Sequence, residues 1–285
     1  MTWFPMNETL EPGLYIVATP IGNLSDLSPR AASVLAAADL IAVEDSRVTA
    51  KLLHHIGVKR PMTPYHDHNA DRVRPGLIEQ MRSKSVALVS DAGTPLISDP
   101  GYKLVRDAMA AGVRVTTIPG PVAAVAALTL AGLPTDRFAF FGFLPAKSAA
   151  RATAIDEAGA FDGTLIFYES GPRLGAALAA LRDGLGARDG AVVREISKAY
   201  EETVTGTLAE LAVRYAESAP KGEIVVVVGP PPAAAPAAAD EVDAALREAM
   251  ARLTPSRAAA EVAARLGVAR RAVYERAQEL KDERS

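Results

Sequence analysis

Residues 86–101 read Val86-Ala87-Leu88-Val89-Ser90-Asp91-Ala92-Gly93-Thr94-Pro95-Leu96-Ile97-Ser98-Asp99-Pro100-Gly101. Four apolar residues in a row predict a strand buried on both faces. At the far end, Asp99 and Pro100 predict a helix start, with Asp99 as the cap and Pro100 at the first helical position, where a missing N–H costs nothing. Between them lies a turn-rich polar loop. Open α/β sheets bind ligands beyond the carboxyl ends of their strands. This loop suits a small polar ligand: Gly93 allows close backbone approach, Pro95 stiffens it, and Asp91, Thr94 and Ser98 offer hydrogen-bonding groups. The same residues would equally serve a plain strand–helix connection.

Working outward, the first half alternates strand and helix. Strands are expected at Leu14–Thr19, Leu40–Val43 and Val113–Ile118. Helices are expected from Ser28-Pro29 to about Ala37, over Val48–Ile56, over about Pro75–Arg82, from Pro100 to Gly112, and from Pro121 to Gly132. Pro61–Asn69 reads as a loop. This alternation implies a parallel sheet. The strand-end turns Pro20-Ile21-Gly22-Asn23, Ser90–Pro95 and Pro119-Gly120-Pro121 match neither G-x-G-x-x-G nor GxxxxGK[ST], which argues against an ordinary dinucleotide or ATP fold.

The second half is richer in strands: Phe138–Phe143, Thr164–Tyr168, Ala191–Ile196, a short Glu202–Thr205 and Glu223–Val228, with helices at Lys147–Glu157, Pro172–Leu181 and Leu208–Tyr215. A mixed sheet follows. The expected organisation is a first α/β domain over 1–133, a second over 134–229, a Pro/Ala linker over 230–239, and a helical, helix-turn-helix-like piece over 240–285. In that last piece Ser256–Leu266 and Ala269–Leu280 read as helices around a Gly267-Val268 turn. Arg257, Arg265, Arg270, Arg271, Arg276 and Lys281 suggest a positive patch for an RNA backbone, with a dimerisation cap as the alternative.

The chain has 285 residues, 49% of them apolar, a net charge of −3 and no cysteine. Disulfides, a thiol nucleophile, zinc thiolate sites and iron–sulfur clusters are thereby excluded. The N-terminus lacks the basic and apolar regions of a secretory signal, and the apolar run Pro121–Leu133 is too short to span a bilayer. A soluble, cytoplasmic protein without membrane contact is expected.

The segments LYIVATPIGNLSDLSPRA, AVEDSR, VALVSDAGTPLISDPGY, IPGPVAAVAAL, GLPTDRFAFFGFLP, IFYES, REISK, EETVTG and KGEIVVVVG occur in that order between Gly13 and Gly229. Their order and spacing resemble the ribosomal RNA small subunit methyltransferase I family, within the tetrapyrrole methylase superfamily. The resemblance implies a two-domain tetrapyrrole methylase-like (class III methyltransferase) α/β fold with S-adenosyl-L-methionine in the cleft between domains. It implies 2′-O-methylation of a cytidine in the decoding region of small-subunit (16S) ribosomal RNA, with the assembled 30S subunit as partner and a homodimeric enzyme. By position, the implied cofactor contacts are Pro20, then Ser90, Asp91 and Ala92, then Val122 and Ala123, then Tyr168 and Glu169, and Ile224 beside Glu223; Thr94 joins them from the loop's own chemistry. Three positions depart from the family pattern. Val122 replaces a usual serine, Ser170-Gly171-Pro172-Arg173 stands where Ser-Pro-His-Arg is usual, and Tyr200 replaces a common histidine.

Methyl transfer from a sulfonium mainly requires positioning and desolvation, but a ribose hydroxyl is a weak nucleophile and gains from a base or a cation. Glu44, Asp45, Arg47 and Lys198 are the candidate catalytic residues, because they follow strand ends on the cleft; Asp99 and Glu195 share that location. For Glu44–Arg47 the alternative is helix capping with a surface ion pair; for Glu195 and Lys198 it is a solvated strand end. His66 and His68 flank Asp67 in an H-x-H spacing that lacks further ligands, so an RNA-facing loop is preferred to a metal site. His54 and His55 read as structural or surface residues on a helix. Phe138, Phe140, Phe141 and Phe143 are expected in the core rather than as stacking platforms. Two other readings stay open: a tetrapyrrole or other small-molecule methyltransferase, and a nucleic-acid-binding regulator with a degenerate methyltransferase domain.

Overall fold

The computed structural model describes residues 9–217, 219–232 and 239–282. Those up to Pro231 form one compact unit and those from Pro232 a second. Most of the expected Pro/Ala linker, and the first eight residues, lie outside the described residues.

The first sheet contains β1 (Gly13–Val17), β2 (Leu40–Val43), β3 (Met62–Pro64), β4 (Ser85–Val89) and β5 (Val115–Ile118) in the order β3-β2-β4-β1-β5. Every pairing is parallel. Because side chains alternate along a strand, the sheet buries two different sets. Tyr15, Val17, Ile41, Val43, Ala87 and Val89 pack with α1 (Pro29–Ala37) and α2 (Ser46–His55). Leu14, Leu40, Ala42, Val86 and Leu88 pack with α3 (Ala70–Met81) and α4 (Tyr102–Ala110). β4, in the middle, is buried at every residue.

The second sheet contains β6 (Phe138–Phe143), β7 (Thr164–Ser170), β8 (Asp189–Arg194), β9 (Glu202–Thr207) and β10 (Glu223–Val228), ordered β6-β7-β10-β8-β9. β6 and β7 run parallel and the other pairs antiparallel, which is the expected mixed sheet. One face packs on α6 (Ser148–Gly159), α7 (Gly171–Leu185) and α8 (Leu208–Arg214). The other face is covered by α5 (Ala123–Leu130), the helix that follows the last strand of the first sheet. Ala124, Ala127 and Leu128 of α5 are buried against Ile166, Val193, Val225 and Val227. The second unit consists of α9 (Ala239–Met250), α10 (Pro255–Leu266) and α11 (Arg270–Asp282), around a core of Leu246, Ala258, Val262, Val273, Ala277 and Leu280.

Several expectations need correction. The helix after the central loop begins at Tyr102, with Gly101 as N-cap at φ 137°, so Asp99 and Pro100 belong to the loop. Pro61–Asn69 contains β3, a strand too short to show a periodic pattern. α3 starts at Ala70 and holds Pro75 in its interior; buried Leu77 and Met81, and Arg74 paired to Asp71 and Asp107, outweigh the missing N–H. α5 starts at Ala123, with Val122 as N-cap, rather than at Pro121. Of the β6 aromatics, Phe140 packs against a core cluster, whereas Phe138, Phe141 and Phe143 are 44%, 38% and 55% exposed, because β6 lies at a sheet edge. In the helical unit, Arg265 pairs with Glu248, Arg271 with Glu275, and Arg276 with Asp243 and Glu279, which neutralises much of the expected positive patch.

Candidate functional site

Three strand-end turns of the first sheet are knitted together. The Thr19 and Gly93 amides each donate to the other residue's carbonyl, at 2.8 and 3.1 Å. That bridge needs Gly93 at φ 78°, a conformation glycine adopts without penalty. Thr94 Oγ1 donates to Pro121 O at 3.0 Å, tying the loop after β4 to the turn after β5. These turns face the ends of β7 and β10 across a cavity of about 320 Å³, within the usual range for small-molecule sites.

Of the residues singled out for the cofactor, Ala92, Thr94, Val122, Ala123, Tyr168, Glu169 and Ile224 line this cavity. Pro20, Ser90 and Asp91 are not among its lining residues. Ser90 is buried and donates to Ala92 O at 3.3 Å. The Asp91 carboxylate accepts the Asp45 amide at 3.0 Å, so it joins the ends of β4 and β2. Burial and the neighbouring Asp45 carboxylate raise its pKa, against the pull of that amide.

The candidate catalytic residues divide. Asp45 is the N-cap of α2, accepting the Arg47 amide at 2.8 Å. Its carboxylate also pairs with the Arg47 guanidinium, which is 87% exposed, and that partner holds the Asp45 pKa down at about 2. Both residues therefore do the capping and surface pairing that the sequence offered as the alternative. Glu44 Oε2 accepts the Asp91 amide at 3.3 Å, and burial raises its pKa. Lys198 Nζ donates to Glu195 at 2.8 Å and Glu223 at 2.9 Å. Burial pulls its pKa down, but those two hydrogen bonds outweigh it and the net shift is upward, which favours the ammonium. Its stem also lies where a Cβ on Gly22 would be, against the turn after β1.

Asp99 occupies a different environment. It lines the cavity, and desolvation raises its pKa to about 6; the nearby Ser90 hydroxyl opposes the shift, while the Glu44 and Asp91 carboxylates add to it. The surrounding backbone is strained. Leu96 and Ser98 before it, and Glu195 and Ser197 across the cleft, are the non-glycine residues at positive φ among the described residues. Such conformations cost on the order of 1–3 kcal/mol each and cluster at functional sites.

On the far wall, Glu169 is buried with its side chain 1% exposed. Its Oε1 accepts the Ser170 amide at 2.8 Å and faces Arg173 at 3.4 Å, whereas Oε2 has no partner among the described residues. An orphaned buried acceptor is costly unless a ligand donor meets it. Tyr168 Oη accepts the Ala124 amide at 3.2 Å, supplying from the second sheet the cap that Val122 cannot give to α5. Tyr168→Phe is expected to cost about 1 kcal/mol in urea unfolding. Val122→Ser, by restoring a local cap, is expected to recover most of that loss.

The sequence did not single out Ile97, Ile196 or Gly222, and it placed Phe143 in the core; all four line the cavity together with Ile21. The one available signal was Gly142, since a glycine inside a strand often marks a bulge. His66 and His68 meet edge to face at 6.0 Å. No group of three or more His, Asp or Glu among the described residues is placed to hold a metal. No helix among them is long and apolar enough to cross a membrane.

A parallel sheet whose strand-end loops face a second, mixed sheet across one cavity defines a two-sheet methylase of the tetrapyrrole type. Residues 13–212 match the Tetrapyrrole (Corrin/Porphyrin) Methylases, and residues 236–281 match the RsmI C-terminal HTH domain. The chain belongs to the ribosomal RNA small subunit methyltransferase I family. It is 51% identical over 276 residues to the protein of that name from Mesorhizobium japonicum, covering 96% of this chain and 94% of the relative. With the one from Erythrobacter litoralis it is 52% identical over 276 residues, at 96% and 97% coverage. The fold is shared with the uroporphyrin-III C-methyl transferase of Thermus thermophilus, solved in complex with S-adenyl homocysteine: TM-score 0.54, 21% identity, 76% of this chain and 97% of that chain.

Proposed function

We propose that the protein methylates a ribose 2′-oxygen of a cytidine in the decoding region of small-subunit ribosomal RNA, using S-adenosylmethionine. The observation that carries this reading is the 51–52% identity, over nearly the whole chain, to enzymes named for that ribosomal RNA. The cavity fits the cofactor by its own chemistry. It has room for a folded nucleoside, an apolar floor at Val122, Ala123 and Ile224, and an unpaired buried acceptor, Glu169 Oε2, for an amino or hydroxyl donor. When bound, the cofactor supplies an electrophilic methyl group on a sulfonium, which is already a good leaving group.

The chain's own work is then to orient, to exclude water and to take a proton. The Ala92–Thr94 backbone, fixed by the Thr19 bridge and the Thr94–Pro121 bond, holds one wall rigid. Asp99, ionised above about pH 6, accepts the proton of the attacking hydroxyl. Lys198, bridging Glu195 and Glu223, braces the opposite strand ends. The cytoplasm, a homodimer and the assembled 30S subunit as substrate complete the reading.

Labelled S-adenosylmethionine incubated with small subunits from cells lacking the protein tests it. After digestion to nucleosides, label is expected on a ribose oxygen; label on a base, or transfer only to a porphyrinoid, overturns the assignment. The helical unit supplies affinity for RNA in this scheme. Arg257 and Arg270 are exposed there with no ion pair among the described residues, and Tyr274 of α11 is 41% exposed. Because that unit has its own core, a chain ending at Pro231 is expected to fold and bind cofactor. Its KM for subunits should rise at least about tenfold, with a shallower salt dependence than the full chain.

A further inference from the structure

Phe143 is the largest exposed apolar side chain on the cavity wall, and the chain bends to put it there. Along β6, Phe140 meets Tyr168 edge to face at 4.7 Å, while Phe141 stacks on Phe167, on the opposite face of the sheet, at 5.5 Å. Strict alternation would send Phe143 to the side of Phe141. Instead the register against β7 slips between Phe140 and Phe143, with Gly142 at φ 65°. This extra residue turns Phe143 onto the Tyr168 side, 5.6 Å from that ring. The bulge also abuts the central loop, since a Cβ on Gly142 would stand 3.3 Å from Ser98 Oγ. Phe143 thus sits at the mouth of the cavity, next to the loop that carries Asp99, and is 55% exposed.

An aromatic ring left 55% exposed at the rim of a ligand cavity gains apolar burial when a partner covers it. An enzyme acting on a nucleotide must first take that nucleotide out of its stack, and unstacked bases are held against aromatic side chains. We propose that Phe143 is the platform on which the base of the methyl-accepting nucleotide stacks, so that its ribose is presented to Asp99. This rests on the ribosomal RNA reading above. Stacking tolerates any base. Phe143 therefore contributes affinity and placement rather than base identity, and the target nucleotide is taken unpaired.

The test is steady-state methylation of small subunits from cells lacking the enzyme, with Phe143→Leu, Phe143→Tyr and Phe143→Trp beside the unaltered protein, and cofactor affinity measured by calorimetry. Leu keeps an apolar side chain but removes the ring. It is expected to raise KM for subunits roughly 5- to 150-fold, the effect of losing one base–aromatic stack. The kcat should change little. Because Phe143 also lines the cofactor cavity, cofactor Kd is expected to rise far less than KM for subunits does, while Tyr and Trp retain KM within a few-fold. A cofactor Kd that rises as much as the KM for subunits in Phe143→Leu would overturn the proposal, since the ring would then serve the cofactor's own pocket. So would unchanged KM in the Leu variant, or failure of both aromatic variants to retain it. If the unaltered enzyme places no label on ribose, the assignment of function fails rather than this one.

Discussion

Asp99→Asn is expected to lower methyl transfer to small subunits by about 10²–10⁴-fold, the usual contribution of a positioned acid or base, while cofactor affinity stays within a few-fold. Asn preserves shape but cannot take the hydroxyl proton. The unaltered enzyme should lose kcat/KM as pH falls through about 6, where burial has placed the Asp99 titration; the residual activity of the Asn variant should lack that limb. A flat profile for the unaltered enzyme between pH 5 and pH 7, or a variant with near-normal kcat, would remove Asp99 from the proton path. The same environment carries a stability cost. A carboxyl whose pKa is raised by folding favours the native state only when protonated, so its contribution is present below its unfolded value and is lost as pH rises through about 6. Asp99→Asn is therefore expected to melt higher than the unaltered chain at pH 7.5, with the difference shrinking toward pH 4.

Gly171→Ala is expected to destabilise the protein by about 3 kcal/mol or more, at or above the upper end of usual overpacking costs, and to weaken cofactor binding at the same time. An added Cβ would lie 1.7 Å from Pro220 O. That oxygen is backbone, so the whole turn leading into β10 must move, and the turn carries Gly222 and Glu223 of the cavity wall. Gly76→Ala in α3 is the matched control, because nothing lies within 4 Å of its Cβ. It should be neutral or slightly stabilising, since alanine loses less backbone entropy in a helix. Urea unfolding and calorimetry on both variants check the pair. Equal stability for the two would mean that the turn yields freely.

Gly171 was visible in the sequence as part of a departure from the family pattern, but the Pro220 carbonyl that occupies the place of its Cβ was not. The same division runs through the molecule. Leu40–Val43, Phe138–Phe143 and Glu223–Val228 were legible to the residue, because unbroken apolar runs end at polar or glycine-rich turns. β3 was not, because three residues carry no period. The loops forming the cavity were legible as strand-end turns. Which side chains face inward was only partly so: Asp91 looked like the ligand contact, and one of its carboxylate oxygens accepts the Asp45 amide. Asp99 looked like a helix cap, yet Gly101 takes that position. Solvation decides an ionisable group's chemistry, and solvation is set by neighbours remote in sequence. For the same reason Phe143 read as core, since sheet order and bulges are properties of the assembled strands.

α5 leaves the first sheet and seals a face of the second, with the Tyr168 phenol pinning its first turn. Opening the crevice by swinging one sheet away from the other would mean stripping Ala124, Ala127 and Leu128 from their apolar seat. The two sheets therefore behave as one welded piece, and the loop between Pro95 and Gly101, with Leu96 and Ser98 left-handed, is the part of the crevice wall that holds backbone strain.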